Sequence, residues 1–521
     1  MYNQPLCCVT NNGHASESFL ISRGIRQGCP LSALLFLLVA ETMANYIRNQ
    51  PSIKGLAVNG CKVKITQMAD DTTLFLKDVQ SVKSVLDTLE HFSCCAGLKL
   101  NKEKTEAIQL GKVTCYIKNK FAIKWVNDPI KVIGIWVGKD KEVLYDKNIT
   151  AKIEKLKKLL NMWQSRNLTI KGKITILKTL AMPQLLYPFT SLHVNQNDID
   201  AVDKVFYEFI WPKGKHHVKK TTLVQNVTNG GLNMPDFNSM FKAMKLTWIN
   251  RLITKNNTFT NLVRAITKIK DPKSFLTRKP LDNKFCKDLP PFYEQLMQIW
   301  LNIYANEPHK IVQLLSEPLW FNKYICIDNK TVHFKNWSVA GINKIIDLVN
   351  EDGKLLNLTD LVGKYNLKTN FMEYNMIMAA IPKKWIKQLK GVNMKRYIDN
   401  DIKDNIFLIH SNIPKPIKVL KCKHFYQMFI AKIENVLTAP KMWNKLYTNN
   451  TINWNYTFKN AFIVCRETYL QSFQYMLINR YLACRSNLHK WNKAPDNLCL
   501  KCKEIDTIEH QLYSCQSLLN F

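Results

Sequence analysis

The hydrophobic pattern divides the chain into a mixed first part and a helical remainder. A loop punctuated by Gly and Pro, SRGIRQGCP, runs into an apolar stretch that predicts a helix from about Leu31, with Ser32 as a candidate N-cap. Two short strands follow, Ile53 to Val58 and Lys62 to Met68. In the second, Val63 and Ile65 alternate with Lys62, Lys64 and Thr66. Asn59-Gly60 between them is a strong hairpin signal. The stretch TTLFL predicts another strand, which puts Asp70 and Asp71 at the turn of a second hairpin. Val82, Val85, Leu86, Leu89 and Phe92 recur at helical spacing, and Gly97 ends that helix. KVIGIWVG, from Lys131, reads as one more strand. The order helix, hairpin, hairpin, helix, strand predicts an α+β layer on an antiparallel sheet.

From Asn148 the period turns helical. Ile149, Ile153, Leu156, Leu160 and Trp163 form one stripe. Lys147 to Lys178 holds many basic residues and a single acid, Glu154. Such a stretch is either a solvated helix face or a surface lying along a phosphate backbone. The region from about 260 to 480 reads as mostly helical, with no internal repeat and no low-complexity tract.

Charge sharpens this picture. With 74 Lys plus Arg against 40 Asp plus Glu, the net charge is +34 over 521 residues. That excess calls for a polyanionic partner, nucleic acid before an anionic membrane surface. No amphipathic or lipidation signal supports the membrane, and the longest apolar run, Leu34 to Ala40, is too short to span one. Length and a 46% hydrophobic share allow three or four domains. The N-terminus MYNQPLCCVT has no secretory pattern, so the 15 cysteines read as reduced intracellular thiols and the sequon at Asn148 as unused.

Two constellations carry candidate chemistry. QMADDTTLFL places Asp70 and Asp71 side by side in a β-branched, apolar stretch that reads as buried. Buried carboxylates are costly unless they are paired or hold a cation. Mg²⁺ suits such a pair, because it takes few carboxylates and completes its shell with water and phosphate. A surface turn is the plainer reading, since turns are rich in Asp. At the other end, CLKCKEIDTIEHQLYSC presents Cys499, Cys502, His510 and Cys515 as C-x2-C-x7-H-x4-C, a set fit for tetrahedral Zn²⁺. Arg480, Arg485, Lys490, Lys493, Lys501 and Lys503 surround it, and Trp491 and Tyr481 are candidates for base stacking. The zinc set reads either as a structural clip or as a nucleic-acid surface.

GIRQGCPLS followed by a helix, about forty residues before an ADD hairpin, resembles the palm of reverse transcriptases. The wording is similar to the long-interspersed-element, non-LTR retrotransposon type. GLKLNKEKT, IKVIGIWV, FIWPKGKHH and GGLNMPDF resemble further segments of that family. The resemblance covers residues 15 to 245 and the extreme C-terminus, and is weak between them.

It implies a partial palm over 1–140, a thumb over 141–260, a helical connector over 261–480 and a CCHC zinc knuckle over 481–521. Asp70 then resembles the principal metal-ligating aspartate and Asp71 its partner. Arg26, Gln27 and Gly28 resemble the loop shaping the nucleotide and template pocket, and Gly134 the primer-grip glycine. Lys104 resembles the lysine that neutralises departing pyrophosphate, and reads equally as a surface lysine. The implied reaction is two-metal transfer of a nucleotide to a primer 3′ hydroxyl. The implied partners are Mg²⁺, Zn²⁺, an element-encoded RNA template, a DNA primer and deoxynucleoside triphosphates, in a cytoplasmic ribonucleoprotein and the nucleus.

One departure stands out. Two-metal chemistry needs a third carboxylate, which in this family comes from a strand upstream of the RQG loop. This chain has no aspartate before Asp70; its upstream acids are Glu17 and Glu41. Met1 therefore reads as an internal start or the edge of a truncated gene model. The partial sheet, with an unpaired edge, also predicts poor solubility. The alternative reading is a catalytically dead nucleic-acid-binding remnant.

Overall fold

The computed structural model describes residues 5–518 apart from 22–23, 26, 59, 112–120, 122, 213–216, 254–257, 268–274, 282–285, 287–288, 398–401, 403–404, 436 and 448–451. Two compact units divide the chain, Met1–Asn148 and Ile149–Phe521.

In the first unit, helix α1 spans Pro30–Asn49. Its N-cap position is Cys29, and no side chain caps it. Pro30 at the first helical position supplies a preset φ, so Ser32 lies inside the helix. Strands β1 (Leu56–Val58) and β2 (Cys61–Val63) form a hairpin, with Gly60 in the left-handed region at φ +88°. The expected strand from Lys62 to Met68 breaks at Lys64. Its second half is β3 (Ile65–Met68), which pairs with β4 (Asp71–Leu74) instead. Helix α2 (Val79–Ala96) is capped by Asp78, which accepts from the Ser81 N–H at 2.8 Å, and ends at Gly97 with φ +72°. A small core joins Ala44, Ile47, Ile53, Ile65 and Val85. It takes the Ala44/Ile47 face of α1 and the Val85 face of α2.

β5 (Glu106–Ile108) and β6 (Lys124–Val126) pair in parallel. β7 (Ile130–Val132) and β8 (Ile135–Val137) form an antiparallel hairpin. KVIGIWVG is thus two strands folded at Ile133-Gly134, with φ of +45° and +81°. Two successive positive φ values define the hairpin turn that matches strand twist. The architecture is α+β, but every sheet among the described residues has two strands and one ladder is parallel. The continuous antiparallel sheet expected from the sequence is not formed there. Strands of three or four residues offer too little ladder to recruit a third.

The seven-residue run Leu34–Ala40 understated α1. The whole helix is long and apolar enough, by length and composition, to cross a bilayer. Leu34, Leu37 and Leu38 are 58%, 59% and 67% exposed. An apolar face of that kind drives self-association. Leu34→Glu with Leu38→Lys is expected to convert a concentration-dependent, high-mass elution profile into a monomer peak. Identical size-exclusion profiles for the parent and the double variant would contradict this.

The second unit is built on helices α3 (Ala151–Gln164), α4 (Ile170–Ile176), α5 (Met182–Ser191), α6 (Gln196–Ile210) and α7 (Phe237–Ile253). Ile153, Leu156 and Leu160 face inward from α3. Phe237 sits edge-on to Phe189 and Phe206, at 5.2 and 5.9 Å between ring centres. A separate core over residues 314–402 gathers Trp320, Trp337 and Trp385 with Leu and Ile side chains. Further along, α8 (Cys422–Ala431) packs on α7, while α9 (Trp454–Ile463) and α10 (Thr468–Ile478) pack on each other, with α10 also against α4.

Lys245 of α7 is fully buried. Its ammonium donates to the Leu192 carbonyl and lies 4.1 Å from the centre of the Phe292 ring. Burial pushes it down to about 7. Above that pH the folded chain sheds a proton that the unfolded chain keeps until near its ordinary value of 10.5. Stability should therefore rise with pH from about 7 upward, by at most about 1.4 kcal/mol per unit. Lys245→Met is expected to flatten that rise in urea titrations at successive pH values. Equal slopes for parent and variant would refute the assignment.

Candidate functional site

The aspartate pair sits at the tip of the β3–β4 hairpin. Met68 pairs with Asp71 across the ladder, so Ala69 and Asp70 make the turn, Ala69 at φ +54°. Both aspartates are exposed. The apolar, β-branched context had suggested a buried strand, but the inward positions of this hairpin end at Ile65 and the partly buried Leu74. The tip projects beyond them. Among the described residues, no hydrogen bond or ion pair engages either carboxylate. Two water-facing carboxylates fit a single Mg²⁺ holding a mostly aqueous shell. No third ligand gathers with them among the described residues. Glu41, one of the two upstream acids, pairs with Arg48 at 2.6 Å on the surface of α1.

Gln27 and Gly28 form an exposed turn just before α1. Gly28 has φ +86°, a conformation that side-chain-bearing residues rarely adopt. Arg26 lies outside the described residues. Lys104 is exposed in the turn after α2, where its N–H donates to the Asn101 side chain at 3.1 Å. Gly134 makes the β7–β8 turn, and Trp136 beside it is crossed by the Lys147 ammonium at 4.6 Å. No hydrogen bond or ion pair among the described residues links these positions to the aspartates.

The C-terminal cluster is assembled. Cys499, Cys502, His510 and Cys515 bring their ligand atoms within 4.8 Å of one another. The Sγ atoms of Cys499 and Cys515 are 4.0 Å apart, those of Cys502 and Cys515 3.9 Å, and Cys502 Sγ lies 3.1 Å from His510 Nε2. Ligands about 2.3 Å from a tetrahedral zinc stand roughly 3.8 Å apart, so the thiol spacings fit that ion. Backbone N–H groups of Cys502 and Lys501 aim at Cys499 and bring its thiol down to about 6. The Ser517 hydroxyl also lowers the Cys515 thiol. Thiolates are what a metal binds.

His510 turns its Nδ1 to the Glu504 carboxylate at 3.5 Å, an outer contact that orients a ligating imidazole. The sequence reading missed Glu504 as a contributor. Its position inside the ligand loop was the available signal. Arg480, offered as part of a basic surround, is instead ion-paired with Glu509 and stacked 4.6 Å over Trp443. Tyr481 is 7% exposed and lies flat against His217 at 5.3 Å, so it offers no face to a base.

GGLNMPDF also has a plain structural role. Asp236 accepts from the Ser239 N–H at 2.9 Å, and Asp203 accepts from Phe237 and Asn238 at 2.8 and 3.2 Å. Lys220 bridges the two carboxylates at 2.9 and 3.1 Å. The start of α7 is thereby capped twice, which satisfies backbone donors that have no partner within the helix. Of the basic residues from Lys147 to Lys178, Lys155, Lys157, Lys158, Arg166, Lys171 and Lys178 are exposed, and Lys152 and Lys173 are half-buried.

Comparison with known proteins places these features. Residues 2–137 match the family described as reverse transcriptase (RNA-dependent DNA polymerase). The chain is 22% identical over 342 residues to a 149 kDa protein of transposon TX1 from Xenopus laevis, covering 62% of this chain and 26% of that protein. It is 35% identical over 96 residues to a retrovirus-related Pol polyprotein from the type-2 retrotransposable element R2DM of Drosophila melanogaster, covering 18% and 9%. It is 22% identical over 255 residues to a Pol polyprotein from the type-1 retrotransposable element R2 of Popillia japonica, covering 46% and 34%. The match spans about a third or less of each relative's length. Residues 2–137 are thus similar to reverse transcriptase sequence, and the relatives matched are transposon and retrotransposon proteins.

Proposed function

We propose that this chain, whose residues 2–137 carry reverse transcriptase sequence and whose relatives are retrotransposon proteins, contributes to RNA-templated DNA synthesis in a non-LTR element. The observation that carries the reading is the exposed Asp70–Asp71 tip inside the matched segment. In this reading residues 1–140 are part of a palm, 141–260 a thumb, 261–480 a connector and 481–521 a zinc knuckle. Asp70 and Asp71 hold Mg²⁺, whose chemistry is to stabilise charge on the attacking and leaving oxygens. Arg26, Gln27 and Gly28 shape the nucleotide and template pocket. A glycine at 28 keeps side-chain bulk away from the base pair. Gly134 and its hairpin hold the primer end, and Lys104 faces the departing pyrophosphate. The exposed cations on α3 and α4 follow duplex phosphates. The primer is DNA, the template the element's own RNA, and the working place a cytoplasmic ribonucleoprotein and the nucleus.

The test is template dependence. The chain, joined to an upstream reverse transcriptase segment that bears a strand aspartate, is given a DNA primer on an RNA template, the four deoxynucleoside triphosphates and Mg²⁺. Product complementary to the template, lost when the RNA is digested first, is the expected result. Untemplated tails, or no product at any Mg²⁺ concentration, would overturn the proposal.

A further inference from the structure

We infer that the surface where the α3–α4 turn meets the α9–α10 turn is a stacking platform for single-stranded nucleic acid. This deepens the proposed function by assigning a partner to a place outside the matched segment, and it rests on that reading.

The two turns lie about 300 residues apart in sequence and are tied together. The Tyr469 hydroxyl donates to the Asn167 carbonyl at 3.3 Å. The Lys171 ammonium donates to the Gln471 side-chain oxygen at 2.7 Å and sits 5.7 Å from the centre of the Phe462 ring. Gln471, itself buried, donates to the carbonyls of Phe462 and Cys465 at 3.1 and 2.7 Å, which locks the α9–α10 turn. The Lys171 and Gln471 bonds fix the backbone on which the exposed rings stand. Tyr469 is 59% exposed, Phe473 38% and Val464 82%.

Exposed rings alone are ordinary, but rings and cations held on one rigid frame make a combination suited to a ligand. The charge around them indicates the occupant. Arg166, Lys171, Lys459 and Arg466 are exposed here, against one exposed acid, Glu467. Arg166 already stacks 5.1 Å over Trp163. Protein interfaces deplete lysine at their centres, whereas single-strand sites combine cations that follow the backbone with rings that stack on bases. A duplex hides its base faces, so rings discriminate in favour of single strands.

The test uses the full chain with a short fluorescent oligouridine and a blunt RNA duplex of equal length, by anisotropy at fixed salt. Tyr469→Ala with Phe473→Ala is expected to weaken oligouridine binding about 30-fold and duplex binding less than about twofold, at one stacked base per ring. Tyr469→Phe keeps the ring and is expected to bind as the parent does. Thermal melts check folding. If the double variant melts early, Arg466→Glu is expected to weaken oligouridine binding about fivefold on its own.

Oligouridine affinity unchanged by the double variant, or by Arg466→Glu where that is used, would overturn the platform. A protein-docking patch would give that result. Tyr469→Phe as weak as the double variant would also overturn it, by assigning the loss to the hydroxyl. Duplex binding that survives either outcome leaves the proposed function standing. No binding of either oligonucleotide would overturn both.

Discussion

Removing zinc, or replacing Cys502 with Ser, is expected to unfold the segment from about Leu482 to Cys515 while leaving the helical body folded. The local core there is small, Leu482, Cys484 and Ile508 with Met476 and Leu477 against them. Apolar burial on that scale does not stabilise so short a segment by itself. The bidentate Arg480–Glu509 pair, roughly a fifth exposed on each side, ties one point of the segment to the end of α10 but does not replace a core. Structural zinc in finger peptides contributes about 10–16 kcal/mol. Shared among four ligands, that is about 3 kcal/mol each, so loss of one should weaken zinc about 100-fold or more. Glu504→Gln removes only the contact to His510 Nδ1 and should cost about tenfold.

Metal content by mass spectrometry and hydrogen exchange of the 482–515 amides check both effects. One zinc per parent chain is expected, with little or none in Cys502→Ser and fast exchange confined to this segment. Full amide protection after chelation would show that protein contacts alone hold the fold. Because Trp491 of this segment lies 4.5 Å from His217, which also contacts Trp211 and Tyr481, tryptophan emission should shift as zinc leaves.

These two candidate sites differ in how far the sequence disclosed them. The cluster of Cys499, Cys502, His510 and Cys515 was legible because its spacing is local. A CxxC turn followed by a His and a Cys within one short segment closes on itself whatever the remaining chain does. The aspartate hairpin was legible for the same reason, since its turn lies between two β-branched runs. Its exposure was not, because burial of a strand depends on what covers it, and Ile65 and Leu74 are covered while the tip is not. The capping role of Asp203 and Asp236, the burial of Tyr481 and the meeting of Asn167 with Tyr469 were invisible. Each depends on packing between residues tens to hundreds of positions apart, which periodicity does not encode. The split of the Lys62 to Met68 strand shows the same limit at short range. Alternation continued through Lys64, but the chain changed partners there.

In templated primer extension, the 521-residue chain alone should stay at background, and Asp70→Asn should lower the rate of an upstream-completed chain by about 10³-fold or more. Both expectations come from charge. In nucleotidyl transfer the metal ions neutralise the phosphoryl oxygens while negative charge builds on the attacking and leaving oxygens. Loss of a single preorganised electrostatic group in such sites already costs about 10²–10³ in rate. Asp70→Asn keeps the shape of the hairpin tip, where the side chain makes no hydrogen bond or ion pair among the described residues, so folding should be untouched. The variant therefore separates metal binding from structure. Asp71→Asn should be milder if Asp70 is the principal ligand.

Within this chain the pair lacks a third carboxylate among the described residues, and Glu41 is held in an ion pair with Arg48. Two exposed carboxylates bind Mg²⁺ weakly, because the ion gives up its water reluctantly. Robust Mg²⁺-dependent synthesis by the 521-residue chain, abolished by Asp70→Asn, would show that two aspartates suffice and that the third charge is supplied by the substrate phosphates. Equal rates for Asp70→Asn and the parent in the completed chain would remove the pair from catalysis altogether and leave it as the surface turn its composition first allowed.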